Sequence, residues 1–347
     1  MRIETLILPE DKTVLEAMKQ LDETGCKVLF LAPEGVLQAV LTDGDVRRYI
    51  LKGGSLDAPA RDMANYRPRA LPISKKDEAK RFFKAWSVNA LPVVDADGRL
   101  VDAVFASRID GVAPTQVDAP VVMMAGGLGT RLYPYTKILP KPLIPVGELP
   151  IAEHIIRRFT DAGCRRFTLV VNYKKGMIKS YFGELEKDYT VDYADEDTPL
   201  GTGGGLSLLA GKLDETFFLT NCDILVDADF GKLYRYHKEN GNQITMVCSL
   251  KDYTIPYGVV EHENGVLTGM REKPHMSFYI NTGLYVVEPG VLDLIPPDTF
   301  TLFTDVIEAV KARGGRVGVW PVSEQSWMDM GQLEELETMR RKLENQE

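Results

Sequence analysis

Residues 119–145, APVVMMAGGLGTRLYPYTKILPKPLIP, constrain the fold of this chain more than any other stretch. Val121, Val122, Met123 and Met124 form a short apolar run with β-branched residues, the pattern of a buried strand. It stops at Gly126, Gly127 and Gly129, with Thr130 and Arg131 directly behind, and Lys141 follows between Pro140 and Pro142. Glycine lets the backbone turn sharply and approach a ligand, and successive N–H groups in such a turn converge on phosphate oxygens. Open α/β sheets hold their ligands at the carboxyl ends of strands, where this turn falls. The segment therefore predicts an α/β domain with a phosphate-binding loop. Arg131 adds a planar fork suited to a pyrophosphate, and Lys141 a charge presented at low conformational cost.

The chain beyond it alternates as such a domain requires. IAEHIIRRFTDAG (151–163) places Ile155, Ile156 and Phe159 on one helical face and leads into the strand-like FTLVV (167–171). FFLTNCD (217–223) and ITMVCSL (244–250) read as further strands, with a helix around 229–241 between them. This order predicts a mainly parallel sheet with helices on both faces. Asp223 then also falls at a strand end.

Composition narrows the class. At 347 residues, 44% hydrophobic and 26% charged, the chain fits two soluble domains. No window approaches the roughly 18 apolar residues of a membrane span, and the charged N-terminal MRIETLILPEDKTVLEAM lacks a signal-peptide core. A net charge of −9 argues against a nucleic-acid or anionic-membrane partner. It leaves room for a local cation cluster on a phosphorylated small molecule. Cys26, Cys164, Cys222 and Cys248 are far apart, as are His154, His237, His262 and His275. Neither a zinc site nor a disulfide frame is expected, and the cytoplasm is the expected compartment.

The seam between the parts is read at GVAPTQVDAP (111–120), giving a first domain over 1–112, a linker over 113–120 and a second domain over 121–347. The first domain repeats one plan. KVLFLAPEGVLQAVLTDGDVRRYI (27–50) and ALPVVDADGRLVDAVFASRIDGV (90–112) each hold a strand, a turn at Gly35 or Gly98, a second strand and a polar exit. Each follows a helical stretch, 11–25 or 75–89. Two such units resemble a tandem pair of cystathionine β-synthase (CBS) domains, a regulatory module that often binds adenine nucleotides. The resemblance implies a nucleotide whose ribose is held by Thr42 and Asp45. The second unit has Ala106 and Ile109 at the matching positions. Isoleucine cannot accept ribose hydrogen bonds, so one ligand at most is expected, acting on rate or assembly from a distance. A pair that docks or dimerises without a ligand is the alternative.

The glycine loop fails two common phosphate motifs. A Walker loop needs Lys after its last glycine, where this chain has Thr130, and a dinucleotide fingerprint needs glycine where it has Leu132. What stands there, G-G-x-G-T-R and then P-K-P, closely resembles the signature of the sugar-1-phosphate nucleotidyltransferases, or nucleotide-sugar pyrophosphorylases. The resemblance runs from about residue 119 to 340. It implies a Rossmann-like (GT-A-like) sheet and Mg²⁺-dependent transfer of a nucleotidyl group from a nucleoside triphosphate to a sugar 1-phosphate.

The same resemblance implies residue roles. Arg131, Lys141, Asp223 and Lys273 are the catalytic candidates. Ala125, Gly126, Gly127, Gly129, Thr130, Asn172, Tyr173, Gly201 and Thr202 are the nucleotide-binding candidates. Gly258, Glu272, Asn281 and Thr282 belong to the sugar, and Asp223 and Asp329 to the metal. Cys222 departs from the family, many members of which have glycine there; it reads as packing. Singly, Asp223 reads as a strand end and Asp329 as a helix cap; together, in family order, they read as a site.

The stretches VNYKKGMIKSYF (171–182) and EDTPLGTGG (196–204) look more like guanylyltransferases of the mannose-1-phosphate type than uridylyl- or thymidylyltransferases, so GTP is the favoured donor. A CBS pair in front of such a domain resembles the guanylyltransferases that make GDP-glucosamine for bacterial legionaminic acid, a surface sugar. A mannose-1-phosphate, uridylyl- or thymidylyl-transferring enzyme is the alternative within the class; a catalytically silent nucleotide-sugar sensor is the alternative outside it. A homo-oligomer is expected.

Overall fold

The computed structural model describes residues 3–86, 88, 90–106 and 115–344; Ile109 and linker residues 113–114 lie outside the described residues. The chain divides into two compact units, Met1–Ala113 and Pro114–Glu347.

In the first unit, helix α1 (Val14–Thr24) starts at a reciprocal cap between Thr13 and Glu16 and stops at Gly25, whose φ of 63° closes its end. Strands β1 (Val28–Leu31) and β2 (Ala39–Thr42) form an antiparallel hairpin that feeds helix α2 (Asp43–Leu51). The second half follows the same plan with β3 (Leu71–Pro72), α3 (Ala79–Trp86) and the antiparallel β4 (Ala90–Val94) and β5 (Leu100–Phe105). The repeat extends to the pairing ahead of each helix. Ile7 bridges Phe30 in parallel, as β3 pairs with β4 in parallel. The hairpins join near their glycine turns, where the Leu37 N–H donates to the Gly98 carbonyl. All four residues of β1 are buried, which is why VLFL shows no polar alternation.

The second unit opens with β6 (Val121–Met124), helix α4 (Tyr135–Ile138) and the ribbon β7 (Pro145–Val146) and β8 (Leu149–Pro150). Next come α5 (Ile151–Asp161), β9 (Arg166–Val171), α6 (Lys175–Glu184), β10 (Thr190–Asp195) and α7 (Gly201–Gly204). They are followed by β11 (Phe217–Asn221), β12 (Ile224–Val226), α8 (Phe230–Glu239) and β13 (Ile244–Thr254). An exposed hairpin, β14 (Val259–Glu263) and β15 (Val266–Arg271), precedes β16 (His275–Val287). The chain closes with α9 (Phe303–Ala312), β17 (Val317–Val322), β18 (Trp327–Asp329) and α10 (Leu333–Glu344).

Seven of these strands form one sheet in the order β10-β9-β6-β11-β16-β13-β17. Neighbours are parallel except around β16, which runs against both β11 and β13. The sheet is therefore mainly parallel, with one reversed strand that apolar patterning does not reveal. Strand alternation sorts the two cores. Val121 and Met123 pack with Ile155, Ile156 and Phe159 of α5, whereas Val122 packs with Phe303, Val306 and Val310 of α9. Helices thus cover both faces.

Residues 117–120 are tied into this unit. The Val117 N–H donates to the Ala162 carbonyl, Ala119 is fully buried, and the Pro120 carbonyl accepts from Phe218. Their two apolar side chains alternate like a strand, and the flanking prolines masked that signal. At the other end of the sheet β13 and β16 run on as a paired arm, Lys251–Thr254 against His275–Phe278.

Candidate active site

At the carboxyl ends of β6 and β11 lies an open cleft of about 430 Å³. It brings together Gly126, Gly127, Gly129, Thr130, Arg131, Lys141, Gly201, Thr202 and Asp223. Local geometry explains the glycines. Gly129 has φ 63°, and a Cβ there would lie 2.7 Å from Thr136 Cγ2. A Cβ at Gly126 would lie 2.5 Å from Glu196 Oε2. Arg131 is exposed and makes no side-chain hydrogen bond or ion pair among the described residues. Its guanidinium is available to an anionic ligand.

The charged centre is assembled by a short ribbon. β12 pairs antiparallel with β18, setting Ile224 opposite Asp329, and the Met330 N–H donates to the Asp223 carbonyl at 2.8 Å. Lys141, in a tight turn after Pro140, donates its ammonium to Asp223 Oδ2. The two side chains are 13% and 12% exposed. Burial works against the Lys141 charge, but Asp223, with Cys222 and Asp329 adding to it, outweighs burial and raises its pKa. Asp329 is pushed up to about 6, first by burial and then by Asp223 and Glu335. A Cβ at Gly331 would sit 3.1 Å from both Asp329 carboxylate oxygens, so glycine leaves that carboxylate its room. Cys222 is buried in the core, which raises its thiol to about 12, and it packs as expected of a non-reactive position.

Asp223 and Asp329 offer carboxylate oxygens only, the donors of a hard cation, and among the described residues no histidine lines the cleft beside them. Among the described residues no group of three or more His, Cys, Asp or Glu could hold a metal. That donor set fits Mg²⁺, which is bound by one or two carboxylates and completes its shell with water and substrate phosphate.

Other residues expected at the nucleotide hold the loop. Ala125 is buried and its N–H donates to Val170; Tyr173 donates its hydroxyl to the Thr136 carbonyl at 3.1 Å. Asn172 donates to the Glu196 carbonyl at 2.9 Å. The run Gly201–Gly204 is strapped by residues 299–303. Thr301 N–H donates to Leu200, its carbonyl accepts from Gly203 and Gly204, and Thr202 Oγ1 accepts from Phe303. A Cβ at Gly204 would lie 2.3 Å from the Thr299 carbonyl, so this glycine is required by close packing.

The sugar candidates are not among the residues lining the cleft. Gly258, Glu272 and Lys273 stand together on the exposed arm, where Lys273 has φ 45° and its N–H donates to Tyr257. Asn281 donates to the Tyr285 hydroxyl at 2.7 Å. Thr282 is buried, with its hydroxyl donated to the Val247 carbonyl. In the first unit, Thr42 and Asp45 form the reciprocal cap of α2, and Asp45 also accepts from Arg48.

Two cleft residues were missed in the sequence. Glu196 is 4% exposed, and its Oε1 has no hydrogen-bond partner among the described residues. Burial raises its pKa, with the Leu200 N–H opposing. Its place directly after a parallel strand is the signal that could have found it. Phe300, also lining the cleft, is 65% exposed.

Residues 120–346 match the nucleotidyl transferase family. A mannose-1-phosphate guanyltransferase of Aspergillus oryzae is 34% identical over 221 residues, 61% of this chain and 60% of that protein. A mannose-1-phosphate guanylyltransferase catalytic subunit beta of Xenopus tropicalis is 34% identical over 220 residues, 61% of each chain. This chain therefore spans about three fifths of the length of these relatives. Among solved structures, HddC from Yersinia pseudotuberculosis superposes with a TM-score of 0.52 at 23% identity, over 65% of this chain and 99% of that one. A putative glucose-1-phosphate thymidylyltransferase from Bacillus anthracis gives 0.52 at 21% identity, over 65% of this chain and 94% of that one. These two likenesses support the fold. The matched residues take in the glycine loop, Lys141 and both aspartates: the chain belongs to the nucleotidyl transferase family.

Proposed function

We propose that the protein transfers GMP from GTP to a sugar 1-phosphate, giving a GDP-sugar and pyrophosphate, with Mg²⁺ as cofactor. The observation that carries this reading is the grouping of Lys141, Asp223 and Asp329 beside a glycine loop with an unpaired arginine. Both substrates are polyanions, so the first requirement is to suppress their repulsion. The glycine loop and Arg131 would hold the β- and γ-phosphates and draw charge toward the departing pyrophosphate. Lys141 would leave Asp223 for the α-phosphate, and Lys273 would meet the sugar phosphate. A phosphate oxygen of the sugar bonds to the α-phosphorus as the bond to pyrophosphate breaks, and the electron pair leaves with pyrophosphate. The attacking oxygen is already ionised near neutral pH, so no general base is required. Mg²⁺ at Asp223 and Asp329 would supply charge neutralisation across the phosphates.

Glu196 supports guanine. A carboxylate is acceptor-only, and the adjacent N–H and NH₂ donors on one edge of guanine would favour its ionised form against the burial that raises its pKa. Uracil and thymine present a single N–H between carbonyls, which a carboxylate repels. The guanylyltransferase relatives agree with this reading. Those relatives put mannose 1-phosphate first among acceptors, and the CBS-like front adds glucosamine 1-phosphate. The N-terminal unit is read as a regulatory CBS-like pair. A ribose at Asp45 would have to displace Arg48, a side chain that is 66% exposed.

The test is pyrophosphate release with four nucleoside triphosphates against a panel of sugar 1-phosphates, for the wild type and Glu196→Gln. GTP should lead, and the substitution should narrow its lead about tenfold or more, the scale of one mispaired buried group. UTP or dTTP outrunning GTP with the best sugar would overturn the guanylyl reading and leave the reaction class.

A further inference from the structure

A phenylalanine that is 65% exposed, in a cleft wall with most of its ring uncovered, is an uneconomical use of an aromatic side chain unless a ligand covers it. Phe300 is also held in place. The flanking Thr301 donates its N–H to Leu200 at 2.9 Å and accepts from Gly203 and Gly204 at 2.9 and 3.0 Å. The Phe303 N–H donates to Thr202 Oγ1 at 3.1 Å. The ring edge rests on Gly201, where a Cβ would come within 3.2 Å of Phe300 Cε2 and 3.3 Å of Cζ. A side chain at 201 would push the ring away, so the glycine sets its position. The ring lines the same cleft as Glu196. The cleft thus holds one group suited to the edge of a base and another suited to its face.

We infer that Phe300 is the stacking platform for the nucleotide base, a binding residue distinct in kind from the base-reading Glu196. This rests on the nucleotide reading of the cleft. Stacking accepts any base, because every base has a π-face. Loss of the ring therefore weakens all nucleoside triphosphates together, whereas loss of the Glu196 carboxylate changes their ranking. The strap that fixes Phe300 lowers the entropy cost of ordering it on binding.

The experiment compares full-length wild type with Phe300→Ala, Phe300→Leu and Phe300→Tyr. Titration calorimetry with Mg–GTP, Mg–ATP and Mg–UTP gives Kd, turnover gives KM and kcat, and a melting curve gives stability. Ala and Leu should raise Kd and KM about tenfold for every nucleotide, the scale of one base–aromatic stack. Tyr, which keeps the ring, should stay within about threefold of wild type. Melting temperature, kcat and the KM for sugar phosphate should be unchanged, since the ring is exposed and a stack on the base is made equally before and during the transfer. Unchanged nucleotide affinity in Ala and Leu, a loss confined to guanine, or failure of Tyr to rescue would overturn the inference. If wild type turns over GTP and Phe300→Ala is unaffected, only this inference falls. If wild type binds no nucleotide, it falls together with the proposed function.

Discussion

Lys141 hydrogen-bonds Asp223 across 82 residues of sequence, and both side chains are mostly, though not wholly, buried in the wall of the cleft. A strand-end aspartate is expected from sequence to contribute little to the core. The structure instead makes Asp223 the counter-ion of a buried lysine, so its removal has two costs. Loss of metal-assisted charge stabilisation should lower turnover about 10³–10⁴-fold, roughly 4–6 kcal/mol. Unpairing Lys141 should cost stability as well, about 1–3 kcal/mol, because the open cleft lets water reach part of the uncompensated ammonium. Asp223→Ala should therefore melt below wild type, and Asp223→Ala/Lys141→Ala should recover part of that loss without activity. Calorimetric melting and turnover on the three proteins check this. An Asp223→Ala enzyme with more than a tenth of wild-type rate at saturating Mg²⁺ excludes Asp223 as a metal ligand.

Metal affinity should depend on pH through Asp329. Its carboxyl sits at about 6, raised above its ordinary value by burial, Asp223 and Glu335. Below that pH the metal must displace a proton, and above it no proton is released. The apparent KM for Mg²⁺ should be flat above about pH 7 and rise as pH falls through 6, approaching tenfold per unit. Asp329→Asn should weaken Mg²⁺ and flatten this profile.

Gly126→Ala should act on base selection. The added methyl would lie 2.5 Å from Glu196 Oε2, in a wall where Asn172 also leaves no slack. We expect a KM for GTP raised about tenfold, a smaller preference over UTP, and a melting temperature lowered by the roughly 1–3 kcal/mol of overpacking. Steady-state kinetics with both nucleotides read the outcome, and an unchanged preference separates the glycine from Glu196.

Stability should fall in mild acid because of a buried histidine. His237 is fully buried between Thr245 and Glu288, and burial lowers its pKa against the opposing pull of Glu288. Its contribution is complete above the unfolded value near 6.5 and is lost as pH falls toward the depressed folded value. The loss approaches about 1.4 kcal/mol per pH unit. His154, lowered chiefly by burial, adds in the same direction. Denaturant titrations from pH 7.5 to 5 should show the decline, with a shallower slope in His237→Gln.

What was legible in the sequence depended on how local the signal was. The glycine loop, its strand and the proline-framed Lys141 lie in one stretch, and the structure lines the cleft with them. The first unit's repeat was legible because each hairpin carries its own turn glycine, Gly35 or Gly98. The reversal of β16 was not, since direction in a sheet is set by long-range pairing and leaves no mark on a buried apolar run. Thr42 and Asp45 were ambiguous in principle, because the spacing that suits a ribose also makes a helix cap. Glu196 and Phe300 were missed for a related reason: each gains its meaning only from strands and loops that fold over it. Next to the nucleotide-binding candidates Gly201 and Thr202, the N–H groups of Gly203 and Gly204 are spent on Thr301, a pairing that only the folded strap creates.

The proposed reaction needs Asp223 and Asp329 to hold Mg²⁺ beside Lys141. The most direct measurement is pyrophosphate release from GTP and a sugar 1-phosphate, with and without Mg²⁺, by wild type, Asp223→Asn and Asp329→Asn. Wild type should show Mg²⁺-dependent release matched mole for mole by GDP-sugar, and each variant a loss of about 10³-fold or more. Release that persists in chelator, or that survives both substitutions at wild-type rate, would contradict it.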